Sequence, residues 1–541
     1  MRKDTKQVLF LILFIMSIIG VLFPTQIVTS LDDASSALVV ILVDPTTYAE
    51  VTSEITRFSE DITNDMNAQV IVETREWTDG FAVRDFLIDK YQKYHLLGAI
   101  LIGDIPTIWF SPEISFIYDG VFPSDYLFWD LQCTYAVDAQ GHVNQISPVQ
   151  RPDFLKRDIW VGRIKPPTIS TDDISLLKNY FERNHEYRTQ KSPYDESILY
   201  YPFITIEQSS SPSNTLQQSI QQEVSKYTAY ASDDITIVSS IDTTGKDLYL
   251  AELSKQREWV VIYAHGTPTS QDLAVPIYRY QIQSAQPGAM CYSLLSCSNG
   301  NFTRDNYLGG WYLFEGEGLV VYAFTAQTQM SNVHWYYYAL PLSAGVRFGE
   351  AALHDQYLTL TILGDPTLQM RRTSVNDFSE TVIDHTSMTF GDVTVNESKT
   401  VTIPIKNIGS SSFILCSYYS YKNCTYPPGH ITQGIGGMSS FVDPFILSVP
   451  HIEPQSTADL TISFRPRVIG KYAINWTLLT NDPQYPYLTF YLTGNGVISA
   501  PDEEPSSEDQ QSDESPGLSF IIVIIVFLLV ISLYGVKLRK K

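Results

Sequence analysis

Basic residues are scarce in this chain: 36 Lys and Arg stand against 59 Asp and Glu among 541 residues, a formal net charge of -23 at pH 7. A nucleic-acid surface needs clustered positive charge, so a nucleic-acid partner is not expected. Cysteine is rarer still, with five in all. Five thiols cannot build a disulfide scaffold. Neither a His-Glu-x-x-His sequence nor a Cys-x-x-Cys pair occurs, and the nine histidines are scattered from His95 to His451, which argues against zinc catalysis. What the chain has in quantity is apolar side chain, 44% against 18% charged, so wholesale disorder is excluded. The length suits roughly two to four domains, each with its own core.

The two ends differ from the middle. Val8–Phe23 is an apolar run behind Arg2, Lys3 and Lys6, with the small residues Thr29 and Ser30 after it. Residues 1–30 therefore read as a secretory signal peptide, with an N-terminal anchor as the alternative. Leu518–Val536 carries no charge over 19 residues. As a helix it spans about 28 Å, which predicts one transmembrane segment at 518–536. The basic tail 537–541 follows at once, so the positive-inside rule puts the C-terminus in the cytoplasm and the folded part outside a single-pass cell-membrane anchor. Residues 501–516 hold seven acids and no base, the composition of an acidic disordered stalk. Sequons at Asn301, Asn396, Asn423 and Asn475 fit an external location.

Between the ends, Leu38–Val43, Gln69–Val72, Ala99–Gly103, Ser197–Thr205, Ile235–Val238, Trp259–Ala264, Met290–Ser296 and Gly318–Phe324 are short apolar runs separated by amphipathic stretches. Strands apolar on both faces and alternating with helices predict an α/β sandwich, a mostly parallel sheet covered on both sides, over residues 36–372. Asp125–Arg163 interrupts the alternation and reads as a β-hairpin insertion with its loop at Asp138–Gly141. From Met388 to Val497 the period changes to two, as in Val401, Ile403 and Ile405 or Leu460, Ile462 and Phe464, which predicts an all-β sandwich within 376–498. Its phrases Lys406-Asn407-Ile408-Gly409, Phe464-Arg465-Pro466 and Thr480-Asn481-Asp482-Pro483 resemble immunoglobulin-like modules appended to surface proteins. Cys416 and Cys424 lie inside it, where a local disulfide and two unpaired buried thiols are both open readings.

Two strand ends could carry chemistry. Trp259–Ala264 runs into His265-Gly266, and Met290–Ser296 runs into Cys297-Ser298-Asn299-Gly300. In a parallel sheet the carboxyl ends of neighbouring strands meet at one edge, so an imidazole and a thiol would reach one crevice. A thiol is a strong nucleophile once ionised, and histidine titrates near enough to neutrality to give or accept its proton. The amide hydrogens of Gly266 and Cys297 are candidates for an oxyanion hole. A Cys291–Cys297 disulfide is incompatible with the strand, because six extended residues hold the Cα atoms about 20 Å apart.

The spacing of 32 residues from His265 to Cys297, together with Ile102-Gly103-Asp104-Ile105-Pro106, Ser124-Asp125-Tyr126, Val161-Gly162-Arg163-Ile164, Cys297–Phe302 and Leu363-Gly364-Asp365-Pro366-Thr367-Leu368 in that order, resembles the gingipain-type cysteine peptidases. These are clan CD relatives of caspases and legumains, and the resemblance spans residues 37–372. It implies a caspase-like fold, Cys297 as nucleophile, His265 as general acid/base, an acyl-enzyme, and protein or peptide substrates without a required cofactor. Glu207 stands where the family has an acid that orients the histidine, a solvated loop carboxylate being the alternative. Asp104 and Asp365 are expected to cap turns.

The sequence also departs from the family. Gln208–Gln222 holds no acid to bind a P1 arginine, so arginine specificity is not carried over. Leu319–Met330, with Thr325 and Gln327, is expected to form one wall of the substrate pocket and to suit polar or uncharged P1 side chains. Asp125, Asp130 and Asp138 are candidates for a structural calcium. A glycan on Asn301 would obstruct the cleft. The expectation is a membrane-anchored extracellular cysteine endopeptidase. Its rival is a catalytically inactive surface receptor or adhesin on the same fold, and the oligomeric state is left open.

Overall fold

Leu38–Val43 offers apolar side chains to both of its faces, and all six are buried. Such a run is stable only as a strand covered above and below. The computed structural model describes residues 37–498, apart from 115–119, 148–156, 169–172, 190–193, 203–217, several positions between 219 and 242, 274, 328–335, 354, 356, 371–379, 384–385, 426–444 and 449–451. The expected signal peptide, stalk and membrane span, and the basic tail, lie outside the described residues. Among the described residues no helix is long and apolar enough to cross a membrane.

The first strands are β1 (Ala37–Val43), β2 (Gln69–Thr74) and β3 (His95–Ile102), joined by the helices Pro45–Met66 and Gly80–Lys93. Asp44 caps the first helix by accepting from the Thr47 amide at 2.9 Å, with Pro45 behind it, and Asp79 does the same for Ala82. β1 lies between β2 and β3, and both pairings are parallel. The chain thus crosses one way to β2 and back to β3, and right-handed crossovers then put the two helices on opposite faces.

An insertion follows: β4 (Ile108–Phe110), β5 (Phe122–Ser124), β6 (Thr134–Val137) and β7 (Val143–Ser147) form a separate sheet in the order β5-β4-β7-β6. It starts earlier than the sequence suggested and holds four strands, one hairpin of which turns at Asp138–Gly141.

The main sheet continues with β8 (Trp160–Ile164), β9 (Ile198–Tyr201), β10 (Ile235–Ile237) and β11 (Arg257–Tyr263). After a small antiparallel sheet of β12 (His265–Thr267), β13 (Ser270–Asp272) and β14 (Pro276–Tyr278) come β15 (Ala289–Leu295), β16 (Val320–Phe324) and β17 (Leu360–Gly364). The ten-stranded order is β10-β9-β11-β15-β16-β17-β8-β3-β1-β2. Eight of its nine neighbour pairings are parallel; the exception is β16–β17. The sheet is therefore mixed, two parallel halves of opposite direction joined at one antiparallel seam. Helices Pro45–Met66, Asp173–Arg188 and Leu308–Phe314 pack in a row, Phe58 on Phe181 at 5.2 Å and Tyr180 on Phe314 at 5.6 Å.

Beyond residue 380 two four-stranded sheets face each other. One runs β18 (Thr381–Ile383), β20 (Lys399–Asn407), β23 (Thr457–Phe464), β22 (Phe445–Ser448), and the other β19 (Ser387–Thr394), β25 (Tyr487–Val497), β24 (Gly470–Thr480), β21 (Leu415–Thr425). Phe390, Ile403, Ile405, Leu460, Ile462, Phe464, Leu478, Phe490 and Leu492 fill the space between them, all fully buried. Alternation along β20, β23 and β25 produces this core, because every second side chain points inward. The sandwich also touches the α/β part. Leu340, Ile414 and Leu479 form a small apolar cluster, and the Tyr487 hydroxyl donates to the Glu350 carbonyl at 3.1 Å. Whether Cys416 and Cys424 form a disulfide concerns side chains outside the described residues.

Candidate active site

β11 and β15 are neighbours in parallel register, with Val261 opposite Ser293 and Tyr263 opposite Leu295. Two residues beyond that last pair stand His265, the first residue of β12, and Cys297, in the turn after β15. The register, fixed by two fully buried strands, therefore brings the two strand ends together. The Ala264 amide donates to the Leu295 carbonyl at 3.3 Å, extending the pairing to the edge. A Cβ built on Gly266 would lie 2.9 Å from the Cys297 carbonyl oxygen and 2.9 Å from Ser296 Cβ, so the chain at 266 rests directly on the segment of the thiol. Only glycine permits that approach. Gly266 and Cys297, the expected oxyanion-hole pair, are thus in backbone contact.

Of the thiols whose surroundings are described, Cys297 alone reaches solvent. Cys291 is fully buried inside β15, and burial, with Glu258 nearby, pushes its pKa well up. Cys133 is pushed up to about 12 by burial and then by Asp130. Neither can act as a nucleophile near neutral pH. None of the three is in a disulfide. His265 is exposed.

Behind Cys297 the chain turns sharply. Ser298 takes a φ of +60°, uncommon for a residue with a side chain, and is held there by bonds on either side. Its amide donates to Ala326 O at 3.0 Å, Asn301 donates back to Ser298 O at 3.0 Å, and Gly300 donates to Phe324 O at 2.8 Å. The turn is thereby hung on the end of β16.

The phrases that carried the resemblance converge on Arg163. Its guanidinium forms a forked pair with Asp125 at 2.6 and 2.7 Å and donates to Ile105 O at 2.8 Å and Pro106 O at 3.3 Å. It also lies 4.1 Å from the ring of Phe302, five residues past Cys297. Arg163 and Asp125 are each 1% exposed. Asp365, fully buried, caps its own turn through Thr367 and accepts from Asn184 at 2.8 Å and Arg188 at 2.6 Å. Asp104 is exposed and pairs with Lys165 at 2.6 Å.

Thr325 and the calcium candidates are placed differently from what the sequence suggested. Thr325 is not a free pocket wall: it is 1% exposed, and its hydroxyl donates to Pro123 O at 2.6 Å. Gln327, three residues past the end of β16, is exposed. Glu207 lies outside the described residues. The calcium candidates do not converge, because Asp125 is held by Arg163, Asp130 accepts from Tyr126 and Cys133, and Asp138 accepts from Gln140 and His142. Among the described residues no cluster of three metal-ligating side chains exists.

One acid was missed in the sequence. Asp272 is directly opposite His265 in the β12–β13 pair and exposed. Directly opposed residues share a face, with Cβ atoms about 5 Å apart. The two-residue connection that folds the chain back, Pro268-Thr269, is not one of the usual hairpin pairs, so the sequence held no clear signal for it.

No known protein family matches the chain, and no curated protein matches it. Among solved structures it is similar to the Arg-specific cysteine proteinase gingipain R, at 12% identity and a TM-score of 0.45 over 86% of this chain and 99% of that one. The Porphyromonas gingivalis complex of RgpB pro- and mature domains gives 11% and 0.44, over 84% of this chain and 100% of that one. The seventh PapD-like domain of human CEP192 gives 19% and 0.18, over 25% of this chain and 98% of that domain.

Proposed function

We propose that the chain is a membrane-anchored, outward-facing cysteine endopeptidase with a caspase-like catalytic domain and an immunoglobulin-like module. The observation that carries this reading is the β11–β15 register, which sets the segments of an exposed imidazole and a solvent-reaching thiol side by side, with Gly266 packed against the backbone of the thiol's segment. In this reading the thiolate of Cys297 attacks the scissile carbonyl carbon, and the carbonyl π pair moves to oxygen. Backbone amides at 266 and 297 receive that negative charge. As the C–N bond breaks, His265 gives its proton to the departing amine, leaving a thioester on Cys297. His265 then takes a proton from water, whose oxygen attacks the thioester, and the thiolate leaves. In the same reading the exposed Gln327 would suit an uncharged or polar P1 side chain.

The test is covalent labelling of the full chain in membranes with electrophilic peptides of varied P1 residue. One adduct at residue 297 is expected, abolished by Cys297→Ala and slowed at least a hundredfold by His265→Ala. A folded protein that takes up no probe across the library would instead be the receptor or adhesin. The anchor is tested by alkaline carbonate extraction, which strips a protein held only at the membrane surface and leaves an integral one in the pellet.

A further inference from the structure

We propose that Asn299 is a positioning residue that locks the His265 loop to the Cys297 turn; the inference rests on the peptidase reading above. Asn299 stands two residues past Cys297 and is fully buried. Its Nδ2 donates to Thr267 O at 2.6 Å and to Ser270 O at 3.0 Å. A single side-chain amide thus grips both ends of the connection that follows His265 and Gly266. The grip is anchored from behind, because the Asn299 carbonyl accepts from the Gly309 amide at 2.9 Å. A second amide reaches in the opposite direction. Gln271 of β13, fully buried, accepts from the Tyr312 hydroxyl at 2.7 Å and approaches Ser296 Oγ at 3.5 Å. Each loop therefore holds the other.

The other atom of the Asn299 amide separates this role from ordinary packing. Oδ1 is buried without a partner among the described residues. An unmet buried acceptor works against folding, and an apolar side chain of similar size would not incur that cost. Rotating the amide would set Oδ1 against two carbonyl oxygens, so its orientation is determined. What this residue supplies, and serine or aspartate does not, is two N–H donors on one rigid plane across the gap between the two loops. The distance it fixes is the one between the general acid/base and the nucleophile.

The experiment compares the wild-type full chain with Asn299→Asp, which is isosteric and loses both donors when ionised, and with Asn299→Ser, which is small and keeps one. Each is reacted with a peptidyl acyloxymethyl ketone bearing an uncharged P1 residue. The inactivation rate constant, the probe's half-saturating concentration, the final labelled fraction and the melting temperature are recorded. A misplacement near 1 Å costs on the order of a hundredfold in rate. N299D should therefore lose about ten- to a hundredfold in the rate constant, with half-saturation within about twofold and every folded molecule labelled at completion. N299S should fall between N299D and wild type. A purely structural residue would instead lower the labelled fraction and leave the rate per site unchanged, and that result overturns the proposal, as does a wild-type rate in both variants. If N299D does not fold, a wild-type rate in N299S is decisive against it. Wild type that takes no label overturns the peptidase reading and this inference together, whereas labelled wild type with equally fast variants overturns this inference alone.

Discussion

Gly266→Ala adds one methyl group at the point where the histidine loop rests on the thiol turn. The new Cβ would lie 2.9 Å from Cys297 O, 2.9 Å from Ser296 Cβ and 3.0 Å from Asn299 Nδ2, and all three neighbours belong to one turn. Ordinary contact begins at 3.4 Å, so the two loops must part by about 0.5 Å, the difference between 3.4 and 2.9. Gly266 is not among the glycines at positive φ, so the cost is steric and not conformational. Overpacking of this kind typically costs roughly 1–3 kcal/mol of stability. A displacement near 1 Å costs about a hundredfold in rate, so half of that on a logarithmic scale is roughly tenfold, or about 1.4 kcal/mol in activation free energy. The assay is the labelling rate at Cys297 beside a thermal melt. A lowered melting temperature and a roughly tenfold slower label are expected. Wild-type rate together with an unchanged melt would mean that the two loops are not in contact, and the site built on their register would fall with them.

Asp125→Asn breaks the forked pair with Arg163 while both remain buried; losing one partner of such a pair costs about 3–5 kcal/mol, read as a shift in the denaturant midpoint. A double replacement, Asp125→Leu with Arg163→Met, should recover part of that loss, and full additivity of the two would disprove the coupling. Asp355 is fully buried, and burial pushes its pKa up to about 6 against the pull of Arg157. Its native form holds its proton over pH 4–6 where the unfolded chain has lost it. Its stability contribution is thus full below about pH 4 and declines as pH rises through 6, by on the order of 3 kcal/mol. Asp355→Asn should flatten that window in melts taken against wild type, and an unchanged slope would refute it. Asp272→Asn removes the carboxylate opposite His265, and a cross-strand pair of this kind is worth up to about 1 kcal/mol, so labelling should slow by no more than about fivefold; a much larger loss would make Asp272 the principal partner of the imidazole.

The apolar runs of β1, β3, β11 and β15 were legible because each is buried on both faces and carries its signal locally. β8 was not legible as a strand. It contains Gly162, packed against Pro366, and Arg163, whose charge is met by Asp125 far back in the chain. No window around Trp160–Ile164 contains that partner. The reversal of β17 was also hidden, since periodicity reports that a segment is a strand but not which way it runs. Thr325 was misplaced for a related reason. A polar residue at a strand end reads as solvent-facing, and here its hydroxyl finds a carbonyl in the insertion. That the His265 and Cys297 segments lie side by side could be read because each follows a strong strand. Asp272 could not, because the connection that returns it to His265 is Pro-Thr, without the Asn-Gly or Gly-Gly pair that marks a two-residue hairpin.

The phrases that carried the resemblance are mostly scaffold. Gly103–Pro106, Ser124–Tyr126, Val161–Ile164 and Phe302 meet on one buried guanidinium, and Gly364–Leu368 closes around its neighbour Gly162. Each polar group there is consumed by another, so an inert relative would need these phrases as much as an active enzyme would. In the proposed mechanism reactivity rests on fewer atoms: the exposed imidazole, the one described thiol that reaches solvent, and the contacts between their segments. Cys297→Ala removes only sulfur from that set and leaves the Arg163 network and the Asn299 bonds untouched. It should therefore melt within a degree or two of wild type and retain no label at Cys133 or Cys291, whose ionisation burial suppresses. A large fall in its melting temperature would show that the thiol is part of the scaffold, and loss of labelling in that variant would then no longer identify a nucleophile.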